Sequence, residues 1–149
     1  MEQRKQTVTP DVLTGIQTLV KAIHASGVSL ELTELASLRA SQINGCSACV
    51  YGHTTNLRKG GVSDDKIDTV AVWRESPYFS DAERAVLTLA ERASRLADRS
   101  EDSVPDALWD ELTAHLDEKS IGAIVLSIAL TNFFNRLNTT YQTPAGTTW

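Results

Sequence analysis

Apolar residues recur three and four positions apart along most of the chain, which is the spacing of one face of an α-helix. The stretches with this pattern are separated by glycine, proline and helix-capping residues. Alternation of β-branched and polar residues, the usual signal of a strand, does not stand out. The pattern therefore predicts six to seven helices, an all-α fold and one domain over residues 1–149. The predicted helices run over Pro10–Gly27, Ser29–Asn44, Cys46–Lys59, Ser63 to about Arg74, Ser80–Leu96, Pro105–Leu116 and about Glu118–Asn138.

The last predicted helix contains the longest apolar run, Ile121–Leu130, and its apolar residues surround the helix instead of forming one stripe. A helix that is apolar on all faces must be buried on all faces. We therefore expect either a central core helix or a helix packed against another subunit. The run itself is shorter than the ~20 residues of a membrane-spanning helix, so no membrane association is expected.

The formal charge of −5 argues against a nucleic-acid-binding surface, which would need clustered Lys and Arg. The first residues show no apolar segment followed by a small-residue cleavage site, so no signal peptide is predicted. Two cysteines are too few for a secreted disulfide framework, and a cytoplasmic location is expected. The charged residues from Glu91 to Asp102 are expected on a solvated helix face and in the loop after it. His24 and His115 have no partner nearby in sequence, and no catalytic role is assigned to them.

Both cysteines of the chain, Cys46 and Cys49, lie in the segment NGCSACVYGHTTNLRKGG, followed four residues later by His53. At ~100° per residue, the three side chains fall on one helical face. Cys46 follows the break at Gly45, so it lies where a helix begins. The helix dipole and the unpaired N–H groups there stabilise a thiolate, and Cys-X-X-Cys spacing lowers thiol pKa values. A thiolate with a second thiol three residues away is suited to reversible oxidation.

Several interpretations of this pair stay open from the residues alone. Cysteines are often small core side chains. The two cysteines and His53 could also bind zinc, but a closed site needs a fourth ligand, for which Glu34 could contribute an oxygen. A thioredoxin-like domain would need a βαβ context that the pattern does not predict. Redox chemistry on a helical scaffold, without a metal or cofactor, is the interpretation we favour.

The segment ELASLRASQINGCSACVYGHTTNLRKGGVSDDKI resembles the core of the AhpD-like alkylhydroperoxidases, within the carboxymuconolactone decarboxylase superfamily. Their motif is a glutamate, eleven residues, Cys-X-X-Cys, three residues and a histidine. Glu34, Cys46, Cys49 and His53 reproduce this spacing. The resemblance extends through VWRESPYFSDAERAVLTLAE and, more loosely, NFFNRLNTTYQTPAG, and so covers about residues 30–146. It implies an AhpD-like helical bundle.

The resemblance also implies a role for each motif residue in the reduction of hydroperoxides. Cys49 would be the thiol that peroxide oxidises to a sulfenic acid, and Cys46 the proton donor and resolving thiol. Glu34 and His53 would form a proton relay. Some members carry a further histidine between the cysteines, where this chain has Ala48, so a relay through that position is absent.

The partners that the resemblance implies are a peroxide substrate, a dithiol or lipoyl-type reductant, and other copies of the chain. Similar proteins form trimers or hexamers, and we expect the hexamer.

Two alternative functions remain. The decarboxylase branch of the superfamily lacks the cysteine pair, which argues against a lactone-decarboxylating lyase. A helical oligomer that senses oxidants through the same thiols, without catalysis, is the third hypothesis.

Overall fold

The computed structural model describes residues 2–5, 8–98 and 102–147, and these contain α-helices and short 3₁₀ turns without a strand. The predicted all-α fold is confirmed. The seven α-helices of these residues are α1 (Pro10–His24), α2 (Leu30–Asn44), α3 (Ser47–Lys59), α4 (Asp64–Asp68), α5 (Asp81–Ser94), α6 (Asp106–His115) and α7 (Glu118–Tyr141).

Helix α2 lies at the centre of the molecule and is buried on most of its faces. Ala36 belongs to a core cluster that α2 forms with α5, α6 and α7. Leu35 and Leu38 belong to a second cluster with α3, α4 and Trp73. Small side chains such as Ser37 and Ser41 let neighbouring helices approach α2 closely. Because α2 carries Glu34 and leads directly into the cysteine segment, its burial gives that segment a rigid support.

The helix starts follow the local signals in the sequence. Ser29, Ser63 and Ser80 each accept a hydrogen bond from the backbone N–H three residues later. Glu83 completes the predicted capping box, because its carboxylate accepts from the backbone N–H of Ser80. Such caps satisfy backbone donors that have no partner within the helix.

The fourth helix is shorter than the apolar pattern predicts. It ends at Asp68 and continues as a 3₁₀ turn over Val70–Val72, whereas a helix to about Arg74 was expected. The Thr69 hydroxyl donates to the carbonyl oxygen of Asp65 at 2.7 Å, a side-chain bond that competes with regular helix geometry. In a 3₁₀ turn, residues three apart lie directly above each other, which suits the burial of both Val70 and Trp73.

The prediction of a solvated helix face from Glu91 onward was wrong for Glu91, and residues 99–101 of the loop that was predicted to follow lie outside the described residues. Its side chain is only 16% exposed and pairs with Arg39 on α2 and with Arg74. Burial alone would raise the pKa of Glu91, but hydrogen bonds from Arg74, Trp73 and Arg39 outweigh this and lower the pKa to about 2. The network ties α5 to α2 and to the segment before α5.

Helix α7 is not enclosed by its own chain. Ile121, Ile124 and Ile128 are buried, whereas Val125 and Leu126 are 42% and 47% exposed. The alternative of a central core helix is therefore wrong, since α2 takes that place. Helix α7 has 24 residues, and an 18-residue stretch of it has a mean hydropathy of 1.3. By length and composition it could therefore cross a membrane, which the ten-residue apolar run alone did not indicate. Core helices of soluble proteins have the same length and composition.

Candidate active site

The turn between α2 and α3 places the cysteine pair. Gly45 caps α2 in the left-handed conformation (φ 68°, ψ 29°), which residues with a β-carbon adopt at a cost. The backbone N–H groups of Gly45 and Cys46 donate to the carbonyl oxygens of Gln42 and Ser41, which closes the end of α2. The chain reverses at once, and Cys46 becomes the N-cap of α3. The helix break at Asn44–Gly45 was predicted, and the sharp reversal folds α3 back against α2.

Buried and half-buried amide side chains hold this turn against α7. The Asn44 side chain donates to the side-chain oxygens of Asn132 and Asn135 at 2.9 and 2.8 Å. Asn135 in turn donates to the hydroxyl of Ser41 on α2 at 3.0 Å. Satisfied buried polar groups are directional and fix the relative position of the helices that carry them. These amides therefore determine which part of α7 lies beside the cysteines.

Cys46 and Cys49 are joined by a disulfide, with their Cα atoms 5.3 Å apart. Both residues are buried, at 2% and 8% exposure. The Cys46 sulfur accepts a hydrogen bond from the backbone N–H of Cys49 at 3.3 Å and so acts as the N-cap group of α3. Cys46 was predicted within the first turn of this helix and lies at its cap instead. Cys49 lies in the first turn of the same helix, so the positive end of the helix dipole acts on both sulfur atoms.

The carboxylate of Glu34 and the imidazole of His53 meet between α2 and α3. Glu34 Oε2 lies 2.7 Å from His53 Nδ1, and Glu34 Oε1 accepts from the Asn56 side chain at 3.1 Å. A carboxylate only accepts, so the imidazole proton lies on Nδ1 and Nε2 is left as the nitrogen that takes up a proton. Exposures of 14% for the Glu34 side chain and 22% for that of His53 keep the pair partly shielded from water.

The four predicted site residues thus lie in two pairs, Cys46 with Cys49 and Glu34 with His53. His53 follows Cys49 by one helical turn, about 6 Å along the axis of α3. Within the described residues, no hydrogen bond joins the imidazole to either sulfur atom. The carboxylate–imidazole pair is therefore assembled, and in the oxidised form it makes no hydrogen bond to the sulfur atoms among the described residues.

A cavity lies next to each of the two pairs. One, of about 300 Å³, is lined by Cys46, Ser47, Asn138, Thr139 and Gln142 among others. The other, of about 160 Å³, has polar walls formed by Glu34, His53 and His24 and apolar walls formed by α1 and α7. No catalytic role was predicted for His24, yet the end of α1 places it at the cavity beside Glu34 and His53, the pair called the relay pair below.

Two further polar residues at the site were not identified from the sequence. Asn56 holds the second oxygen of Glu34, and Asn138 donates to the sulfur of Cys49 at 3.3 Å. Position 56 is three residues after His53, so helical spacing is the one signal that could have found Asn56. Asn138 is far away in sequence and had no such signal. In the part of the chain that the structure describes, no group of three or more His, Cys, Asp or Glu side chains is arranged to hold a metal ion.

Comparison with known proteins connects this geometry to a family. A sequence model of the carboxymuconolactone decarboxylase family matches residues 10–92. The uncharacterized protein YdfG of Bacillus subtilis is 30% identical over 131 residues, which are 88% of this chain and 87% of YdfG. The uncharacterized protein YnjA of Escherichia coli is 37% identical over 111 residues, which are 74% of this chain but 59% of YnjA.

Solved structures with this fold include an Agrobacterium tumefaciens protein of unknown function, ATU0492, described as a candidate antioxidant defence protein AhpD. It superimposes with a TM-score of 0.88 at 30% identity, covering 99% of this chain and all of the other. The debrominase Bmp8 follows at a TM-score of 0.78 and 25% identity, over 91% of this chain and 72% of Bmp8. The family match over more than half of the sequence, with a relative similar along nearly its whole length, establishes that this chain belongs to the carboxymuconolactone decarboxylase family.

Proposed function

We propose that the protein is a thiol-dependent hydroperoxide reductase of the AhpD-like type. The observation that carries the proposal is the joined pair Cys46–Cys49 at the start of α3, with His53 one turn further along that helix and held by Glu34 of α2. A dithiol at a helix N-terminus beside a carboxylate-oriented base is an arrangement that activates a sulfur nucleophile. Membership of the family and the likeness to the Agrobacterium protein support this class of reaction.

In the oxidative half of the reaction, the Cys49 thiolate attacks the terminal oxygen of a hydroperoxide. A sulfur–oxygen bond forms, the oxygen–oxygen bond breaks, and the alkoxide leaves as an alcohol after taking a proton. His53 Nε2, oriented by Glu34, supplies the base that deprotonates Cys49, through one intervening water or a rotation of the thiol. The alkoxide takes its proton from the Cys46 thiol. The resulting Cys46 thiolate attacks the sulfur of the Cys49 sulfenic acid, the disulfide forms, and the hydroxide that leaves takes the proton held by His53 and departs as water.

In the reductive half, a dithiol or lipoyl-type reductant returns two electrons to the disulfide and is itself oxidised to a disulfide. This partner and the peroxide are the expected substrates, and a cytoplasmic location would provide the reducing thiols. No cofactor is required, since both electron pairs move between sulfur atoms and oxygen.

We further propose that several copies of the chain associate through α1 and α7, with a hexamer as the expected assembly. An apolar groove of about 400 Å³ lies between these helices. Its walls include Ile16, Leu19, Leu126 and Phe133, of which the last three are at least 40% exposed. Exposed apolar surfaces of this kind usually mark an interface.

Turnover by cysteine variants tests the proposed function. The reduced protein should reduce an organic hydroperoxide in the presence of a lipoyl dithiol. Cys49→Ser should abolish turnover, and Cys46→Ser should accumulate the Cys49 sulfenic acid, detectable by a sulfenic-acid-specific label and mass spectrometry. Ser47→Ala, which leaves both thiols in place, serves as the control. Equal turnover by the parent and both cysteine variants would refute the proposal.

The same assay separates the alternative functions. A lactone-decarboxylating lyase would consume a carboxymuconolactone and release carbon dioxide without needing either thiol. A redox sensor would form the disulfide once with peroxide but show no turnover with a reductant. Debromination, the activity that the name of Bmp8 gives, would in this protein release bromide from a bromopyrrole while the two thiols are oxidised.

A further inference from the structure

The two sulfur atoms of the disulfide receive different hydrogen bonds. The Cys46 sulfur accepts from the backbone N–H of Cys49, a donor that any residue at position 49 except proline would supply. The Cys49 sulfur accepts from the side-chain amide of Asn138 at 3.3 Å, across the interface between α3 and α7. Asn138 is 4% exposed. Only the second donor depends on the identity of a side chain from elsewhere in the fold.

Asn138 is held in this orientation although its other amide atom has no partner. Its Oδ1 is buried without a hydrogen bond among the described residues. An unpaired buried carbonyl oxygen is unfavourable. Reversal of the amide would direct Oδ1 at the Cys49 sulfur, which has no proton to donate in the disulfide or as a thiolate. The N–H therefore faces the sulfur because only this orientation provides a bond to it.

The strength of that bond depends on the redox state. A disulfide sulfur is a weak acceptor, whereas a thiolate carries a full negative charge and accepts more strongly. Other ionisable groups near Cys49 are Cys46 and His53 on α3 and, through His53, Glu34 on α2. On α7, the neighbouring Arg136 is exposed. The amide of Asn138 is thus the donor from α7 that reaches the sulfur.

We propose that Asn138 makes Cys49 the sulfur that carries the negative charge, so that the reductant attacks Cys46. The incoming thiolate forms a sulfur–sulfur bond to Cys46, the Cys46–Cys49 bond breaks, and its electron pair stays on Cys49 as a thiolate that Asn138 stabilises. The second thiol of the dithiol then attacks the reductant's own sulfur in the mixed disulfide. This oxidises the reductant and releases Cys46 as a thiolate, which takes a proton from water.

The surroundings of the two cysteines support this direction. Both are buried, and Cys49 is the slightly more exposed residue at 8% against 2%. The cavity of about 300 Å³, however, is lined by Cys46 together with Ser47, Thr139 and Gln142, and not by Cys49. A narrow thiol side chain approaching through this cavity would meet Cys46 first. The Cys49 thiolate that results is the form that the peroxide step requires. The purpose of attack at Cys46 thus rests on the proposed peroxidase function. The hydrogen bonds and the cavity that indicate this direction of attack do not depend on peroxide.

The thiol pKa and the reduction potential test the role of Asn138 directly. In the Cys46→Ser background, the pH dependence of iodoacetamide alkylation gives the pKa of Cys49. Asn138→Leu and the smaller Asn138→Ala should raise it so that about tenfold less thiolate is present at a pH below the pKa. In the two-cysteine protein, equilibration with dithiothreitol should show a disulfide about tenfold harder to reduce, about 30 mV for two electrons. Thr131→Ala, which removes another buried polar side chain of α7 and leaves the donor to the sulfur in place, is the matched control.

The direction of attack is tested with glutathione. The oxidised parent is mixed with glutathione, quenched rapidly in acid, and mapped by mass spectrometry. Glutathione should be found on Cys46 with at least tenfold preference, and Asn138→Ala should weaken this preference. Glutathione mainly on Cys49, or an unchanged Cys49 pKa in both folded Asn138 variants, would overturn the inference. If the parent shows both effects but no peroxide turnover, the inference stands and the proposed peroxidase function fails.

Discussion

Glu34 Oε2 and His53 Nδ1 lie 2.7 Å apart, although nineteen positions separate the two residues in sequence. Within a continuous helix that separation would place them nearly 30 Å apart. The left-handed Gly45 turn is what brings them together, because it reverses the chain between α2 and α3. The same turn places the two cysteines at the start of α3, so one local reversal assembles both parts of the site.

The first prediction concerns the two thiols. Mild peroxide should convert the reduced protein to the Cys46–Cys49 disulfide, because the sulfurs are already positioned for bonding. Free-thiol titration should show the loss of two thiols per chain and their full return with dithiothreitol. Retention of both thiols after peroxide treatment would contradict a redox role for the pair.

The second prediction concerns the relay pair. Glu34→Gln and His53→Gln should each slow the reaction of the reduced protein with an organic hydroperoxide by about 10²-fold, the usual contribution of a positioned acid or base. Asn56→Ala should slow it less, because Glu34 keeps its bond to His53. Stopped-flow kinetics provide the measurement, with the exposed His115→Gln as control. Parent-like rates in the first two variants would exclude the relay.

A third prediction compares two glycines with open space around the position of an added Cβ atom. Gly45→Ala should destabilise the protein by about 1–2 kcal/mol, because alanine is strained in the left-handed conformation. Gly52→Ala, inside α3, should stabilise it by about 0.5–1 kcal/mol through the better helix propensity of alanine. Urea unfolding measures both. Equal effects would mean that the left-handed conformation of Gly45 is not required.

The fourth prediction is a pH dependence of stability. The pKa of Glu91 is lowered from its ordinary value of 4.5 to about 2, since hydrogen bonds from Arg74, Trp73 and Arg39 outweigh its burial. A lowered carboxyl pKa stabilises the fold above pH 4.5, and this stabilisation is lost as the pH falls toward 2. Glu91→Gln should cost about 3 kcal/mol at pH 7, because it leaves the partly buried Arg39 unpaired.

Denaturant unfolding at pH 7 and at pH 2 to 3 tests this pH dependence. The difference in free energy of unfolding between the parent and Glu91→Gln should be smaller at the acidic pH. The exposed Glu75→Gln serves as a control and should change little at either pH. A difference between parent and Glu91→Gln that does not vary with pH would contradict the link to titration of Glu91.

The fifth prediction concerns assembly through α1 and α7. Light scattering coupled to size exclusion should give the mass of a multiple of the chain, with six copies expected. Leu126→Glu and Phe133→Glu should dissociate it, because each places a charge on the exposed apolar groove. The exposed Leu96→Glu, away from the groove, should not. A parent mass of one chain at micromolar concentration would refute the assembly.

Much of the fold could be predicted from the sequence because its signals are local. Ser29, Ser63 and Ser80 cap helices within four residues of themselves, and glycine at 45 ends α2 where the pattern breaks. The Cys-X-X-Cys spacing and the following histidine share one helical face for the same reason: the regular geometry of one helix relates them. The sequence therefore determined the helices, the cysteine pair and the position of His53.

Other features depend on which helices lie side by side, and only the tertiary structure decided them. Asn138 reaches Cys49 across 89 positions of sequence, and Arg39 reaches Glu91 across 52. Asparagine and arginine are as common on open surfaces as at such contacts, so nothing in the nearby sequence marks these two. The packing of α2 against α3, α5 and α7 shields the side chains of Asn138 and Arg39 from water. Because these polar groups then have few other partners, they bind specifically to Cys49 in the site and to Glu91 in the core.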